Sequence, residues 1–367
     1  MSLRVVHCGT GVTGRHGLRA IVDHPDLDLV GVFAHSPQKI GRDAAQLCGA
    51  PELPPIGASG VLATGSWEAL LALEPDCLCY CANGTGREDD ACREMARFLD
   101  RGIDVVTTSV LEFVHPAAAD PRRRDVIEAA CRRGGASFFN TGIDPGYATS
   151  GLALSLLSLA GRIDSVRVQE LGNISHYGVE PVMREYFGFG KPLDYAAPLR
   201  VSGVIELWWK GTLLTIAEAI GASIERHELN FEVAEFDRDI DTAFGIVPAG
   251  SIAAVRFELI GIVDGRPLIV LEHVDRAHPD VAPQWDAPTG TRDSSYRVIV
   301  RGHPGYRCEV VFDYRDRVDA GVVVTATHAV NAIPAVCAAP PGILSPLDLP
   351  VFTGRISPRT AVQSSNR

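Results

Sequence analysis

The sequence predicts an α/β chain of two domains, a doubly wound parallel sheet followed by an α+β domain whose sheet is mostly antiparallel. Three observations carry this. Over the first 145 residues, short apolar runs alternate with helical spacing, the pattern of parallel strands joined by crossover helices. Past Tyr147 that alternation gives way to long strand-like runs. Asp264-Gly265 falls between two of those runs, where a two-residue hairpin needs residues that accept a left-handed backbone.

In the first part, 3–8 is the first predicted strand and 13–23 the first helix. Further strands are predicted at 29–34, 77–81, 105–107 and 137–139, with helices at 88–101 and 122–134 that end near glycines. An apolar helix at 151–159 opens the second part, whose strands are predicted at 166–171, 228–235, 253–263, 268–274, 296–300 and 308–312. Pro304-Gly305 is a second turn signal. The 201–220 stretch is apolar nearly all round, but Glu206, Lys210 and Glu218 make membrane insertion costly, so it reads as a helix buried on the second sheet or in a subunit interface.

A chain of 367 residues fits two domains better than one. The expected division is 1–147, 148–322, a segment at 323–355 that packs back on the first domain, and a loose tail at 356–367. Apolar residues make up 46% and charged residues 22%, the balance of a globular protein. A formal net charge of −11 argues against nucleic acid as a partner, because neutralising phosphates needs a basic surface. The apolar run at the N-terminus is too short for a signal peptide, and no later stretch is expected to reach the length needed to span a bilayer. A cytoplasmic protein without a membrane role is the expectation. The nine cysteines have no CxxC pairing, so free thiols and no metal site are expected. Cys77, Cys79 and Cys81 share one face of a strand and read as small core residues.

Gly9-Thr10-Gly11-Val12-Thr13-Gly14 is Gly-x-Gly-x-x-Gly, and it joins an apolar strand to a helix. Glycines there permit a tight turn and close backbone approach, while the helix N-terminus offers amide hydrogens to a pyrophosphate. The first domain is therefore expected to be a Rossmann domain, with a purely structural glycine turn as the alternative. An NAD site would carry an acidic residue at the end of the second strand; here that end reads Phe33-Ala34-His35-Ser36-Pro37-Gln38-Lys39. His35, Ser36, Lys39 and Arg42 could instead hold a 2′-phosphate, so NADP(H) is preferred and NAD(H) remains possible; the alternative is a solvated face. Ala82, Asn83 and Gly84, and Thr107, Thr108 and Ser109, lie where later strands end and are cofactor candidates by position.

Glu112 is a lone carboxylate among apolar neighbours in the segment 107–116, just past a strand end. It is the sharpest catalytic candidate, able to exchange a proton or hold a cationic amine, with a surface-loop glutamate as the alternative.

With the glycine turn, Thr108-Ser109 to Glu112, Asn140-Thr141-Gly142-Ile143-Asp144-Pro145-Gly146-Tyr147, Glu170-Leu171-Gly172-Asn173 and Ala339-Pro340-Pro341-Gly342-Ile343-Leu344, the chain resembles the dihydrodipicolinate-reductase-like proteins. Within them it is most similar to the 2,4-diaminopentanoate dehydrogenases and native amine dehydrogenases. The resemblance spans nearly the whole chain. It implies NAD(P)-linked reductive amination of a small ketone or aldehyde with ammonia, and the reverse oxidative deamination, with Glu112 holding and activating the amine. It also suggests a homodimer through the second sheet and the 201–220 helix. Asn140, Thr141, Asp144 and Tyr147 read as bordering nicotinamide and substrate, and Asn173, His176 and Tyr177 as closing the pocket; turn and hairpin roles stay open for each. Asp286-Ala287-Pro288-Thr289-Gly290 is similar to a loop of true dihydrodipicolinate reductases, but the paired histidines and lysine upstream of that loop are missing, so lysine-pathway activity is not expected. An alcohol or aldehyde dehydrogenase on the same scaffold, and a non-catalytic NADPH-sensing regulator, are the alternatives.

Overall fold

The computed structural model describes residues 2–49, 56–201, 203–291, 293–312 and 320–356; the expected loose tail at 356–367 lies, but for Ile356, outside them. Along the chain run β1 (Leu3–Cys8), α1 (Val12–Asp23), β2 (Leu27–Phe33), α2 (Ala44–Leu47), β3 (Ala63–Thr64), α3 (Trp67–Leu71), β4 (Cys77–Tyr80), α4 (Glu88–Leu99), β5 (Asp104–Thr107), α5 (Pro121–Gly134) and β6 (Ser137–Asn140). Then follow α6 (Leu152–Leu157), β7 (Arg162–Asn173), α7 (Pro198–Val201), α8 (Val204–Ala219), β8 (Arg226–Glu235), β9 (Ile240–Thr242) and β10 (Gly245–Val247). The remaining elements are β11 (Ile252–Val263), β12 (Arg266–Arg276), β13 (Ser295–His303), β14 (Tyr306–Val311), α9 (Ala320–Cys337) and β15 (Gly342–Leu344). The chain divides into two compact units, Met1–Ile143 with Gly321–Arg367, and Asp144–Ala320.

In the first unit the strands run β15-β6-β5-β4-β1-β2-β3, every neighbouring pair parallel. Alternation along β4 splits the core into two layers. Leu78 and Tyr80 join Met95, Phe98 and Ile127 on one side, while Cys77 and Cys79, followed by Cys81, join Ile21, Ala329 and Ile333 on the other. A strand buried on both faces reads as a continuous apolar run, as β4 does. Helix α5 shows how punctuation fixes an element. Asp120 accepts from the amides of Arg122 and Arg123, Pro121 occupies the first turn, and Gly135 closes the helix at φ 68°.

Helix α9 corrects one reading of the sequence. It is 18 residues long and apolar enough to cross a membrane by length and composition. Its Ala329, Val330, Ala332, Ile333 and Val336 are instead buried in the first unit's core. A core helix covering a buried parallel sheet needs the same composition as a span.

The second unit holds a mixed sheet ordered β14-β13-β7-β12-β11-β8, in which β7 and β12 are parallel and the other neighbours antiparallel. Asp264 and Gly265 both take positive φ, 50° and 69°, as the predicted two-residue hairpin between β11 and β12 requires. On one face Val168, Leu271, Leu259 and Phe257 form an apolar layer, and α8 lies against β11 and β12, its Trp209 touching Phe257. The opposite face carries Arg167, Arg256, Glu258 and Glu272 in one ion-pair network.

Candidate active site

In the first unit, the carboxyl ends of β1, β4, β5 and β6 lie side by side, and each delivers part of the predicted cofactor set. Gly9 has φ +111°, and a Cβ there would stand 2.6 Å from the backbone of Cys81. A Cβ on Gly14 would meet the Gly9 carbonyl oxygen at 2.3 Å, so both positions exclude any side chain. Gly11 differs, because a Cβ there would meet nothing within 4 Å. The first and third glycines serve packing, and the second opens backbone at the N-cap of α1 to a ligand. That arrangement fits a pyrophosphate held by the first amides of the twelve-residue α1, whose first turn carries no acidic residue; Val12 and Thr13 stand in that turn.

Lys39 reaches back to this turn, its Nζ donating to the Thr10 carbonyl at 2.6 Å and to Thr10 Oγ1 at 3.1 Å. Ser36 donates instead to Gln38 Oε1 at 2.6 Å. His35 lies with Nε2 4.0 Å from Glu94 Oε1. Glu94 is a carboxylate near the end of β2 that sequence reading missed, because it comes from α4. It pairs at 2.7 Å with Arg87, the residue that precedes α4. Arg42 stands just past the short turn that carries Lys39, its amide donating to the Lys39 carbonyl at 3.2 Å.

Ser109 donates to the Ala82 carbonyl, the Thr108 amide to the Tyr80 carbonyl at 3.1 Å, and the Val110 amide to Asn140 Oδ1 at 3.2 Å. Asn140 Nδ2 is buried without a hydrogen-bond partner, an orphaned donor at the edge where a ligand would bind. Asn83 caps its own turn through Oδ1, which accepts from the Thr85 amide at 3.2 Å, and the Thr141 amide donates to the Thr107 carbonyl at 2.9 Å.

Glu112 sits in a single 3-10 turn after β5 with its side chain 2% exposed, which removes the surface-loop alternative. Arg123 grips both carboxylate oxygens, Nε to Oε1 at 2.7 Å and Nη2 to Oε2 at 2.8 Å. This two-pronged pair gives the buried carboxylate a counter-charge and fixes its plane, while a lone pair on each oxygen stays available to another N–H donor.

In the second unit, Asp144 is the centre of a buried polar group. Trp209 Nε1 donates to Oδ1 at 3.0 Å, and His273 Nε2 lies 2.7 Å from Oδ2, with the two side chains 2% and 3% exposed. His273 stacks on Phe257 with rings 12° from parallel and meets the edge of Trp209. Glu170, opposite His273 in the β7–β12 ladder, completes a cluster whose ligating atoms lie within 4.8 Å of one another. Burial works against the Asp144 carboxylate, but the charge of His273 and hydrogen bonds from His273, Glu170 and Thr149 together outweigh it and hold the carboxyl below its usual range. Burial likewise disfavours the imidazolium of His273, yet Asp144 and the charges of Asp275 and Glu272 together outweigh it and raise that pKa above the usual imidazole value.

Sequence reading named Asp144 and missed His273 and Trp209, though a histidine inside the apolar strand 268–274 was the available signal. Tyr147 stands 39% exposed. Asn173 ends β7 with Oδ1 accepting from the Ser175 amide at 3.3 Å; His176 is exposed and Tyr177 half-buried just beyond. The aspartate of the 286–290 loop accepts from Gln169 Nε2 at 2.7 Å, tying that loop to β7.

Comparison with known proteins adds to this geometry. The family of the 2,4-diaminopentanoate dehydrogenase C-terminal domain matches residues 149–363. An amine dehydrogenase of Streptomyces virginiae is 35% identical over 94% of this chain and 95% of its own. A 2,4-diaminopentanoate dehydrogenase of Acetoanaerobium sticklandii is 22% identical over 95% of this chain and 94% of its own. The structure of an amine dehydrogenase from Mycobacterium smegmatis shares the fold with a TM-score of 0.77, at 21% identity, covering 97% of this chain and 98% of its own.

Proposed function

Because the chain belongs to the family of the 2,4-diaminopentanoate dehydrogenase C-terminal domain, we propose that it is a nicotinamide-dependent amine dehydrogenase acting on the CH–NH2 group of a small, largely apolar amine. The observation that carries this reading is the pairing of an open glycine turn with a buried, oriented carboxylate on one sheet edge. Gly9 to Gly14 hold the pyrophosphate, Ala82, Asn83, Thr108 and Ser109 line the rest of the cofactor, and Glu112 holds the amine nitrogen. In the synthetic direction ammonia adds to the carbonyl carbon of the substrate and water leaves, giving an imine. The cofactor supplies, when bound, the hydride that reduces the imine carbon. Glu112, oriented by Arg123, accepts an N–H bond from the ammonia nitrogen and holds it as it becomes an amine. Asn140 and Thr141, in the same unit as Glu112, are the proposed substrate contacts there, and Asp144, Tyr147, Asn173, His176 and Tyr177, with His273 and Glu170, are the candidate set of the second unit. Lys39 at the turn, with His35 and Ser36, supports NADP(H) over NAD(H). The nine free cysteines fit a reducing, cytoplasmic setting.

The test is to follow NADPH oxidation with carbonyl compounds, with and without ammonium. Turnover should require both, and Glu112→Gln should lower it by at least about 100-fold while NADPH binding persists. Equal turnover without ammonium would assign an alcohol or aldehyde dehydrogenase instead. Persistent cofactor binding with no turnover across a broad screen would favour a regulator.

We further propose a homodimer through the second sheet and the 201–220 helix. Light scattering should give twice the mass of one chain at micromolar concentration. A wild-type monomer at micromolar concentration would refute it.

A further inference from the structure

Behind the glycine turn lies a second cluster that the amine chemistry does not use. His7 of β1 is opposite Cys79 of β4 in the parallel ladder, and both side chains are fully buried. One residue past β4, Cys81 points to the same layer; its Sγ is 3.7 Å from that of Cys79, and a ring nitrogen of His7 and both sulfurs lie within 4.8 Å of one another.

The histidine identifies the donor set. Its Nε2 is 2.7 Å from the Gly9 carbonyl oxygen, a bond that requires Nε2 to carry the proton. Nδ1 then bears a lone pair, and it is buried with no hydrogen-bond partner. A buried acceptor without a donor is costly, and a pair of thiols beside it supplies only weak donors. Two Zn–S bonds of about 2.3 Å at a tetrahedral angle put the sulfurs about 3.8 Å apart, close to the separation found here.

We infer that His7 Nδ1 and the sulfurs of Cys79 and Cys81 form a binding site for a thiophilic cation of the Zn2+ class. On binding, both thiols release their protons to solvent. Two thiolates and a neutral imidazole then balance the charge of Zn2+, which a fully buried site requires. A monovalent soft cation would leave one negative charge uncompensated. The cluster of Asp144, Glu170 and His273 does not compete, since His273 there is paired with a carboxylate and its raised pKa favours a proton over a metal. The site backs the cofactor turn directly. His7 Nε2 holds Gly9, and a Cβ on Gly17 would stand 3.1 Å from His7 Cε1 and 3.4 Å from Cys81 Sγ.

Because the site is buried, it loads as the chain folds, so the full chain is produced in zinc-supplemented medium and passed over a desalting column with a non-thiol reductant. Elemental analysis should find about one zinc per chain. The double variant C79S/C81S should retain less than a tenth of that, and C308S, outside the cluster, the full amount. Chain produced with Co2+ should show a thiolate-to-cobalt charge-transfer band that the double variant lacks. A circular dichroism melt checks that each variant is folded. Zinc-free wild-type chain, or equal zinc and an unchanged cobalt band in folded C79S/C81S, would overturn the site. Neither readout depends on amine turnover.

Discussion

The two sheets handle buried polarity in opposite ways. At the carboxyl edge of the first, Gly9 and Gly14 let the turn pack and Gly11 leaves backbone open to a ligand, while Ser109 and the Asn140 Oδ1 atom are satisfied by backbone and Asn140 Nδ2 is left without a partner. Inside the second, ionisable side chains face one another, Asp144 against His273 and Glu170, walled by Trp209 and Phe257. A site made of backbone admits no side chain where the turn packs, at Gly9 and Gly14, and does not itself titrate. A site made of paired charges tolerates isosteres and depends on protons.

The largest effect is expected at the turn. Gly14→Ala forces a Cβ to within 2.3 Å of the Gly9 oxygen and should abolish NADPH binding, read by fluorescence titration, along with much of the soluble yield. Gly11→Ala has room, so it should melt as the wild type does while losing cofactor affinity. Wild-type affinity in Gly11→Ala would show that no ligand approaches there, and the contrast between the units would lose its first half.

The second half is tested by breaking the ion pair. Asp144→Asn or His273→Gln alone should cost about 3–5 kcal/mol in urea melts, since each leaves a buried partner uncompensated, and the double variant should cost less than the two together. The pH dependence has a defined sign. The raised His273 pKa contributes stability that is complete below its unfolded value near 6.5 and is lost as pH rises through the higher folded value. The depressed Asp144 pKa contributes stability that is complete above its unfolded value near 3.8 and is lost as pH falls through the lower folded value. The pair is therefore most stabilising between those two unfolded values, and His273→Gln should flatten the alkaline limb. An unchanged alkaline slope in that variant would remove the proton from the account.

The smallest effect is expected at Lys39. Removing one ammonium from the ribose end of the turn by Lys39→Ala should shift the NADPH to NADH ratio of kcat/KM by about tenfold, the equivalent of one charge-assisted hydrogen bond. No shift would leave the preference to groups outside the β2 end.

What sequence could show follows from the same contrast. The glycine turn was legible because its parts are contiguous and its spacing is dictated by backbone geometry, and the hairpin at Asp264-Gly265 for the same reason. Glu112 stood out as one charge in an apolar segment, but its partner Arg123, eleven residues on, looked like one of three exposed arginines at a helix start. The Asp144 group draws on residues 144, 170, 209 and 273, joined only by strand register and by the packing of α8, neither of which a linear pattern records. Helix α9 has the length and composition of a span while its buried residues lie in the first unit's core, because composition alone does not separate a helix buried by protein from one buried by lipid.

The last strand of the parallel sheet sets an order of events during synthesis. Leu344 pairs beside Phe139, so the sheet begun by Leu3 gains its outer strand only after the intervening unit has left the ribosome. At roughly 5–20 residues per second, the unit begun second has the first opportunity to complete itself, while the one begun first waits some ten seconds or more for its closing segment. The nascent chain meets its surroundings with one edge of β6 bare, and the passage from ribosome to folded enzyme is timed by a strand of three residues.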